Sequence, residues 1–455
     1  MINQSVFKAY DVRGIYPVDL DEAVAFGVGR AFVRLTGAKK IVVGFDARIS
    51  SPALFGALTR GLAREGAEVF TIGQVPTECL YFAVATYDFD GGIMITASHN
   101  PKEYNGFKML KRNHGGIEIV RGKDLLPFME EGSSIGAADA VLQKKDIWSD
   151  YLKYILAFSG DVKKRNIVVD ASNGVIGDVI LKIKDKLPVK ITDLNFQPDG
   201  NFPNHSPNPL DEGASNQIAQ KIKDTGADFG FMFDGDADRI FLVDQLGQQV
   251  SADIVLLLLA KHFLGKYPRP SIGEARPEGA AGKGIAYNLI CSRSVPEFIK
   301  KWGGVPIRTQ VGFVNVRQGL IENGGIMGGE LSAHYCFRDY FYMDSGMIAF
   351  LTLLQIISKD GRPLSDIVKE LTVYAKPLQI TFKITDSRQI LEKIKQKYAD
   401  GRQDYLDGVT VEYEHWWFNA RPSNTEPLLK LTIEADTQEL LDEKKKELSD
   451  FITAG

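Results

Sequence analysis

One recurrence narrows the fold of this chain more than any other feature: a β-branched run, then a polar loop, then a helical pattern. Lys40 to Phe45 is such a run. Asn166 to Asp170 repeats it in register with Lys40-Ile41-Val42-Val43-Gly44, including the polar loop Asp170-Ala171-Ser172-Asn173-Gly174 that follows. Apolar alternation of this kind between helical stretches predicts βαβ units and a parallel sheet. Residues 20–36 carry helical periodicity, and Ser51-Pro52 opens a second helix that ends before Gly66. Glu68 to Ile72 and Gly92 to Thr96 read as strands, with a helix over 78–87 between them. Residues 134–148 are weakly patterned and mark a boundary; a Pro/Asn loop over 199–209 precedes a helix that starts near Leu210 and ends by Gly226.

A further restart begins with an apolar helix over 251–265, followed by a Pro/Gly/Ala-rich loop up to Gly284. Strands are expected at Ala286–Ile290, Val305–Arg308 and Ile326–Gly329, and a long apolar helix at 344–359. After Tyr374 the pattern changes to four strands and two helices without strict alternation, which is α+β. Four domains follow, at 1–147, 148–250, 251–373 and 374–455: three α/β and one α+β. With 455 residues the chain is long enough for that number.

Bulk chemistry excludes some functions. The formal net charge is −4 with no long basic run, so charge suggests neither nucleic-acid nor membrane-surface binding. Three scattered cysteines, Cys79, Cys291 and Cys336, have no metal-binding spacing and fit a reducing compartment. The longest plain apolar run, Ile254 to Ala260, is too short to span a bilayer, and no leader pattern opens the sequence. The expectation is a cytoplasmic enzyme or binding protein.

Four stretches carry chemistry. Gly92 to Pro101 is an apolar strand that ends in Thr96-Ala97-Ser98-His99-Asn100-Pro101, presenting a hydroxyl, an imidazole and an amide where open α/β sheets place their sites. Lys108 follows near the same loop, and Tyr10 and Arg13 flank a turn near the start of the chain. Phe233-Asp234-Gly235-Asp236-Ala237-Asp238-Arg239 lies between two apolar strands, and its three alternate carboxylates can converge on one hard cation. An EF-hand is excluded, because that loop needs Gly at its sixth position and an acid at its twelfth, where Arg239 and Gln245 stand. Too few ligands remain for a closed protein cage, which suits Mg²⁺ shared with a phosphate oxygen. Glu330, Ser332 and His334 alternate on what reads as an extended segment, facing one way. Arg421-Pro422-Ser423-Asn424-Thr425 supplies a guanidinium, hydroxyls, an amide and backbone N–H groups suited to phosphate. The bland alternatives are a polar turn, an acidic surface hairpin, a satisfied Glu–His pair and a self-capped hairpin loop.

Taken together, in this order and one per expected domain, the four motifs closely resemble those of the α-D-phosphohexomutases, and among them the bacterial phosphomannomutase/phosphoglucomutase group. The resemblance covers essentially the whole chain. It implies a heart-shaped, four-domain molecule in which three similar domains share a mixed α/β fold and the last belongs to the TATA-box-binding-like group. It implies that Ser98 is a phosphoserine that gives and takes the phosphoryl group, and that one Mg²⁺ is held by Ser98, Asp234, Asp236 and Asp238. Glu330 and Ser332, with His334 near them, would read sugar hydroxyls, and Arg421, Ser423, Asn424 and Thr425 would grip the non-reacting phosphate. Tyr10, Arg13, His99, Lys108 and Arg239 would line the reaction centre, with His99 or Lys108 as the acid–base group.

The implied reaction moves phosphate between the 1- and 6-positions of a mannose or glucose phosphate through a bisphosphate, with a hexose 1,6-bisphosphate as activator, by a monomer or weak dimer. A phosphoserine of roughly −1.5 to −2 charges beside three aspartates requires a divalent cation and nearby Lys108 and Arg239. Three alternatives stay open: a phosphoglucosamine mutase, a non-catalytic sugar-phosphate binder and a phosphatase. The sequence also departs from the group at Ile290, where Lys is frequent, at Phe313, where His is frequent, and at Ala333, usually Gly.

Overall fold

The computed structural model describes residues 3–113, 116–130, 140–266, 283–377, 379–384, 386–422 and 428–454. Part of the expected boundary (134–139), most of the Pro/Gly/Ala loop, and Ser423, Asn424 and Thr425 lie outside the described residues. The chain forms two compact units, residues 1–250 with 333–365, and residues 251–332 with 366–455.

In the first unit, Lys40–Phe45 is the centre of a seven-stranded sheet, parallel to both Glu68–Gln74 and Gly91–Ile95. The sheet is mixed rather than purely parallel. Tyr104–Asn113 returns antiparallel beside Gly91–Ile95, and Val12–Ile15 adds antiparallel to that. The reason is the short connection: only eight residues separate Ile95 from Tyr104, too few for the crossover a parallel pair needs. That return brings Lys108 back beside Met94, close to Ser98, and sets Arg13 beside Gly106.

Helices Glu22–Thr36 and Ser51–Arg64 cover the sheet, each with an apolar face. They approach closely because Gly29 and Gly61 have no side chains. A Cβ on Gly61 would stand 2.1 Å from the Phe26 carbonyl oxygen, and one on Gly29 2.4 Å from that of Leu58. Asp21 caps the first helix through the Val24 N–H, and Pro52 sits at the start of the second, as its sequence predicts.

A second, four-stranded sheet runs Ile240–Asp244, Phe229–Phe233, Arg165–Asp170, Val189–Leu194. Phe229–Phe233 is parallel to Arg165–Asp170 and antiparallel to Ile240–Asp244, so the three-aspartate loop is the turn of a buried hairpin. The helix expected near Leu210 starts later, at Asn216–Thr225. Pro209 and Gly213 (φ +80°) hold the chain in turns until then. Helix Gly346–Asp360, capped by Ser345, packs Phe350 against Phe231 and Phe233 of this sheet.

In the second unit, Gly284–Asn288 is flanked in parallel by Val305–Thr309 and Met327–Gly329. Helices Ala252–Lys266, Ser294–Lys301 and Phe313–Glu322 accompany these strands. The last part is an all-antiparallel sheet ordered Ile380–Lys383, Leu428–Ala435, Trp416–Pro422, Val409–Glu412, Arg402–Asp404. Ile390, Ile394, Leu441, Leu448 and Ile452 of its two helices bury against Phe418, Leu429 and Leu431. Among the described residues no helix is long and apolar enough to cross a membrane.

Candidate active site

Ser98 ends the buried strand Gly91–Ile95 in a left-handed conformation, φ +51°, unusual for a non-glycine residue. Its N–H is held by the Thr96 hydroxyl at 2.8 Å. Its Oγ donates to Asp234 at 2.9 Å and stands 3.3 Å from Nδ1 of His99. The residue is 2% exposed. A buried serine aimed into carboxylates is not a surface turn, and the polar-turn alternative falls.

The three aspartates converge as their spacing predicts. One carboxylate oxygen from each of Asp234, Asp236 and Asp238 lies within 4.8 Å of the others, and all three side chains are buried. Gly235 is needed between them because its backbone passes the serine loop, and a Cβ there would stand 2.8 Å from the Ser98 carbonyl oxygen. Lys108 donates to Asp236 at 2.7 Å and also to Asp238. Two hydroxyls join them: Thr77, which lies in none of the motifs, reaches Asp236 at 2.5 Å, and Thr96, at the head of the serine motif, reaches it at 3.1 Å. No periodicity in the sequence points to Thr77; the sheet brings it there.

The electrostatics follow from crowding. Burial, then the like charges of Asp238 and Asp236, push the Asp234 carboxyl well above the usual range. Burial works against ionised Asp238 as well, but the Lys108 and Arg239 cations outweigh it and hold that carboxyl below its ordinary value. Burial opposes the Lys108 ammonium too, yet Asp236 and Asp238 raise it above an ordinary lysine. Burial, with Arg239 and Arg13 nearby, keeps the His99 imidazole well below its usual value and therefore neutral at pH 7. These residues fit a divalent cation. Every donor is an oxygen, and the buried Oδ1 atoms of Asp236 and Asp238 accept no hydrogen bond among the described residues.

Arg239 and His334 meet on the other side of the loop. Arg239 Nε donates to His334 Nε2 at 2.8 Å, so that nitrogen carries the lone pair. Nδ1 then carries the proton and donates to Asp344 at 2.6 Å. Asp344 thus fixes the tautomer and orientation of His334. It lies on a two-residue strand in a segment read from sequence as a helix start, which is why it was not legible there. Arg13 donates to Asn100 at 2.8 Å and to Asp11 at 2.5 Å, tying the N-terminal turn that carries Tyr10 to the serine loop.

The second unit gathers its own polar residues. Glu330 is buried and accepts from the Gly312 N–H at 3.1 Å, from Asn288 at 3.3 Å and from the Ser332 hydroxyl. The extended segment expected over Glu330–His334 is corrected. Residues 331–332 form a turn and Ala333 has φ +67°, so the three side chains do not share a strand face. That left-handed angle is the physical reason a glycine is at home at this position. Arg421 is 5% exposed, and its Nε has no hydrogen-bond partner among the described residues. Burial lowers its guanidinium from the ordinary value, while Asp407 and Glu330 pull the other way. Ile290 is buried, and Phe313 begins a helix. In place of a lysine at 290, the Lys376 ammonium donates to the Ile290 carbonyl at 2.9 Å and to Asp253 at 2.6 Å.

Residues 4–124, 149–247, 251–374 and 380–451 match, in turn, domains I, II, III and the C-terminal domain of the phosphoglucomutase/phosphomannomutase family description. A phosphomannomutase of Methanocaldococcus jannaschii is 35% identical over 98% of this chain and 97% of its own length. A protein of Xanthomonas campestris described as phosphohexose mutases is 33% identical over 98% of both. Among solved structures, a phosphoglucomutase/phosphomannomutase family protein of Burkholderia thailandensis superposes with a TM-score of 0.85. It has 32% identity and covers 100% of this chain and 98% of its own.

Proposed function

The chain belongs to the phosphoglucomutase/phosphomannomutase family and is a phosphohexomutase, and from that premise we propose that it exchanges phosphate between the 1- and 6-positions of mannose and glucose phosphates through phospho-Ser98. The observation that carries this reading is the buried Ser98 Oγ, 2.9 Å from Asp234, within a trio of aspartates two of which Lys108 bridges. The domain boundaries given above, at 147, 250 and 373, are part of the same proposal.

In the first transfer the sugar 6-hydroxyl oxygen forms a bond to the seryl phosphorus, the Oγ–P bond breaks, and the hydroxyl proton passes through a base to the departing Ser98 Oγ. The bisphosphate then turns around. Ser98 Oγ gives its proton to the base and forms a bond to the phosphorus at O1, the O1–P bond breaks, and the base passes that proton to the departing O1. A hexose 1,6-bisphosphate primes Ser98 by the same step. Lys108 donates to two carboxylates and has no lone pair to offer, so its role is charge stabilisation and the base is an imidazole, His99 or His334. Asp344 behind His334 is the arrangement that orients such a base. Asp234, Asp236, Asp238 and the Ser98 oxygen would hold Mg²⁺, which when bound offsets the charge gathering on the transferring group. Arg13 and Arg239 flank the centre with Tyr10. In the second unit Glu330 and Ser332 read sugar hydroxyls, and buried Arg421, with Ser423, Asn424 and Thr425, grips the phosphate that does not react.

Phosphorus NMR tests this with Mg²⁺ and a trace of glucose 1,6-bisphosphate. Mannose 1-phosphate, glucose 1-phosphate and glucosamine 1-phosphate are offered in parallel, with Ser98→Ala as control. Conversion of the first two to 6-phosphates, lost in the control, is expected. Conversion of glucosamine 1-phosphate alone would move the protein to the phosphoglucosamine mutases; release of inorganic phosphate alone would make it a phosphatase.

A further inference from the structure

The loop that carries Ser98 is wrapped around a buried guanidinium. The Arg48 side chain is fully buried and uses all five of its N–H donors. Nη1 donates to the carbonyls of Pro101 at 2.7 Å and Tyr104 at 2.9 Å. Nη2 donates to those of Ser98 at 2.9 Å and Asn100 at 2.6 Å. Nε donates to Asp46 at 3.1 Å, and Asp46 in turn accepts from the Arg48 N–H and the Ser51 hydroxyl. The Phe202 ring lies over the guanidinium at 5.3 Å. Four of the five acceptors are backbone oxygens of a single seven-residue loop, 98–104.

We propose that Arg48 is the positioning residue that holds the nucleophile loop in its reactive shape; the inference rests on the phosphoserine reading of Ser98. Two physical effects support it. A serine at φ +51° is strained by roughly 1–2 kcal/mol relative to ordinary backbone and persists only where its surroundings fix it. The Thr96 hydroxyl grips its N–H, and Arg48 grips its carbonyl. Released from Arg48, the residue relaxes toward negative φ and carries Oγ away from Asp234. The clamp also turns four carbonyl dipoles inward, onto the guanidinium. Left free, carbonyl oxygens facing the seryl phosphate would repel it. A lysine cannot replace this grip, having three donors on a point charge against five acceptors held in a planar fork.

The sequence offers no sign of this role, since an Arg three residues after a strand reads as a surface residue. It needs the loop to return over the strand ends before the acceptors exist.

The test compares wild type, Arg48→Lys and Phe202→Leu, which thins the cover of the guanidinium without removing a donor. Each is primed with glucose 1,6-bisphosphate and Mg²⁺. Phosphate on residue 98 is counted by intact mass, and kcat and KM for glucose 1-phosphate are expressed per phosphorylated serine. Amide hydrogen exchange over 98–104 is measured on the unliganded proteins. A misplacement near 1 Å costs on the order of 100-fold in rate. Arg48→Lys is expected to lose about that in kcat, with KM within about threefold because the sugar and distal phosphate groups are untouched, and to exchange the loop amides at least about tenfold faster. Phe202→Leu should move the same quantities in the same direction by less, and it decides the matter if Arg48→Lys does not fold. Wild-type kcat per phosphoserine in a folded variant overturns the inference, and so does a loss of activity fully accounted for by a smaller folded fraction. Should wild type itself fail to transfer phosphate, the mutase reading falls, and unchanged loop exchange in the variants would then overturn the clamp separately.

Discussion

Glu78 gives a sharp stability prediction because it is a fully buried carboxyl that the chemistry does not use. It opens helix Thr77–Thr86 and accepts from the hydroxyls of Tyr151 and Ser345, while its own carbonyl accepts from Tyr340 at 2.6 Å. Burial, partly offset by the Ser345 and Tyr151 hydroxyls, raises its pKa from the ordinary 4.5 to about 7. The folded state therefore keeps this proton up to about pH 7, whereas the unfolded chain releases it near 4.5. Between those values the unfolded state binds fewer protons, so stability falls as pH rises, and the full penalty is present above pH 7. At 1.36 kcal/mol per unit the gap amounts to about 3 kcal/mol. Glu78→Gln has no charge to bury and keeps an acceptor for either hydroxyl. For a unit comprising residues 1–250 and 333–365, at ~2.1 cal/mol/K per residue, ~3 kcal/mol is roughly 5 °C in the unfolding midpoint. Differential scanning calorimetry of both proteins from pH 4.5 to 8.5 reads this directly. The variant should gain on the wild type by roughly 5 °C between pH 4.5 and 7, with a flat difference above. Two midpoint curves that run parallel across that window would refute the reasoning, since every other titrating group is common to both proteins.

Other consequences follow from the same geometry. Asp238→Asn removes a carboxylate that Lys108 holds and that the proposed cation would share, so kcat should fall by at least about 100-fold, and chelation of wild type should abolish activity until Mg²⁺ is restored; calorimetric Mg²⁺ titration reads the binding loss independently. If Arg421 grips the distal phosphate as proposed, Arg421→Ala removes charge-assisted bonds worth about 1.5–3 kcal/mol each, and steady-state kinetics should show KM for hexose phosphates rising by about 10–100-fold. Lys376→Met leaves Asp253 as a buried unpaired carboxylate and should cost about 3–5 kcal/mol in denaturant unfolding. The Lys376→Met, Asp253→Leu double variant should recover much of that loss; no recovery would mean that the pair does not interact as the geometry indicates.

Much of the site was legible because its residues are consecutive. A Ser at the end of an apolar strand and three alternate aspartates between two apolar strands are short-range patterns, and both stand where they were expected. Glu330 to His334 was misread because alternation alone suggested a strand, whereas the φ of +67° at Ala333 breaks it. Strand–helix alternation points to the parallel pairs around Lys40–Phe45, but only the resemblance implied a mixed sheet, and the antiparallel return of Tyr104–Asn113 follows from a short connection.

The order of elements and the chemical type of each loop are readable along the chain alone, because hydrophobic period, helix caps and turn residues act over a few positions. The tertiary structure decided which groups meet: Thr77 with Asp236 across 159 positions, Lys108 with Asp238 across 130, His334 with Asp344 behind Arg239, and Arg48 inside the Ser98 loop. Those meetings are set by sheet register and by which helices pack closely, and buried charges then impose their own condition. Each buried charged group must find partners, and the partners lie wherever the fold has brought the chain back.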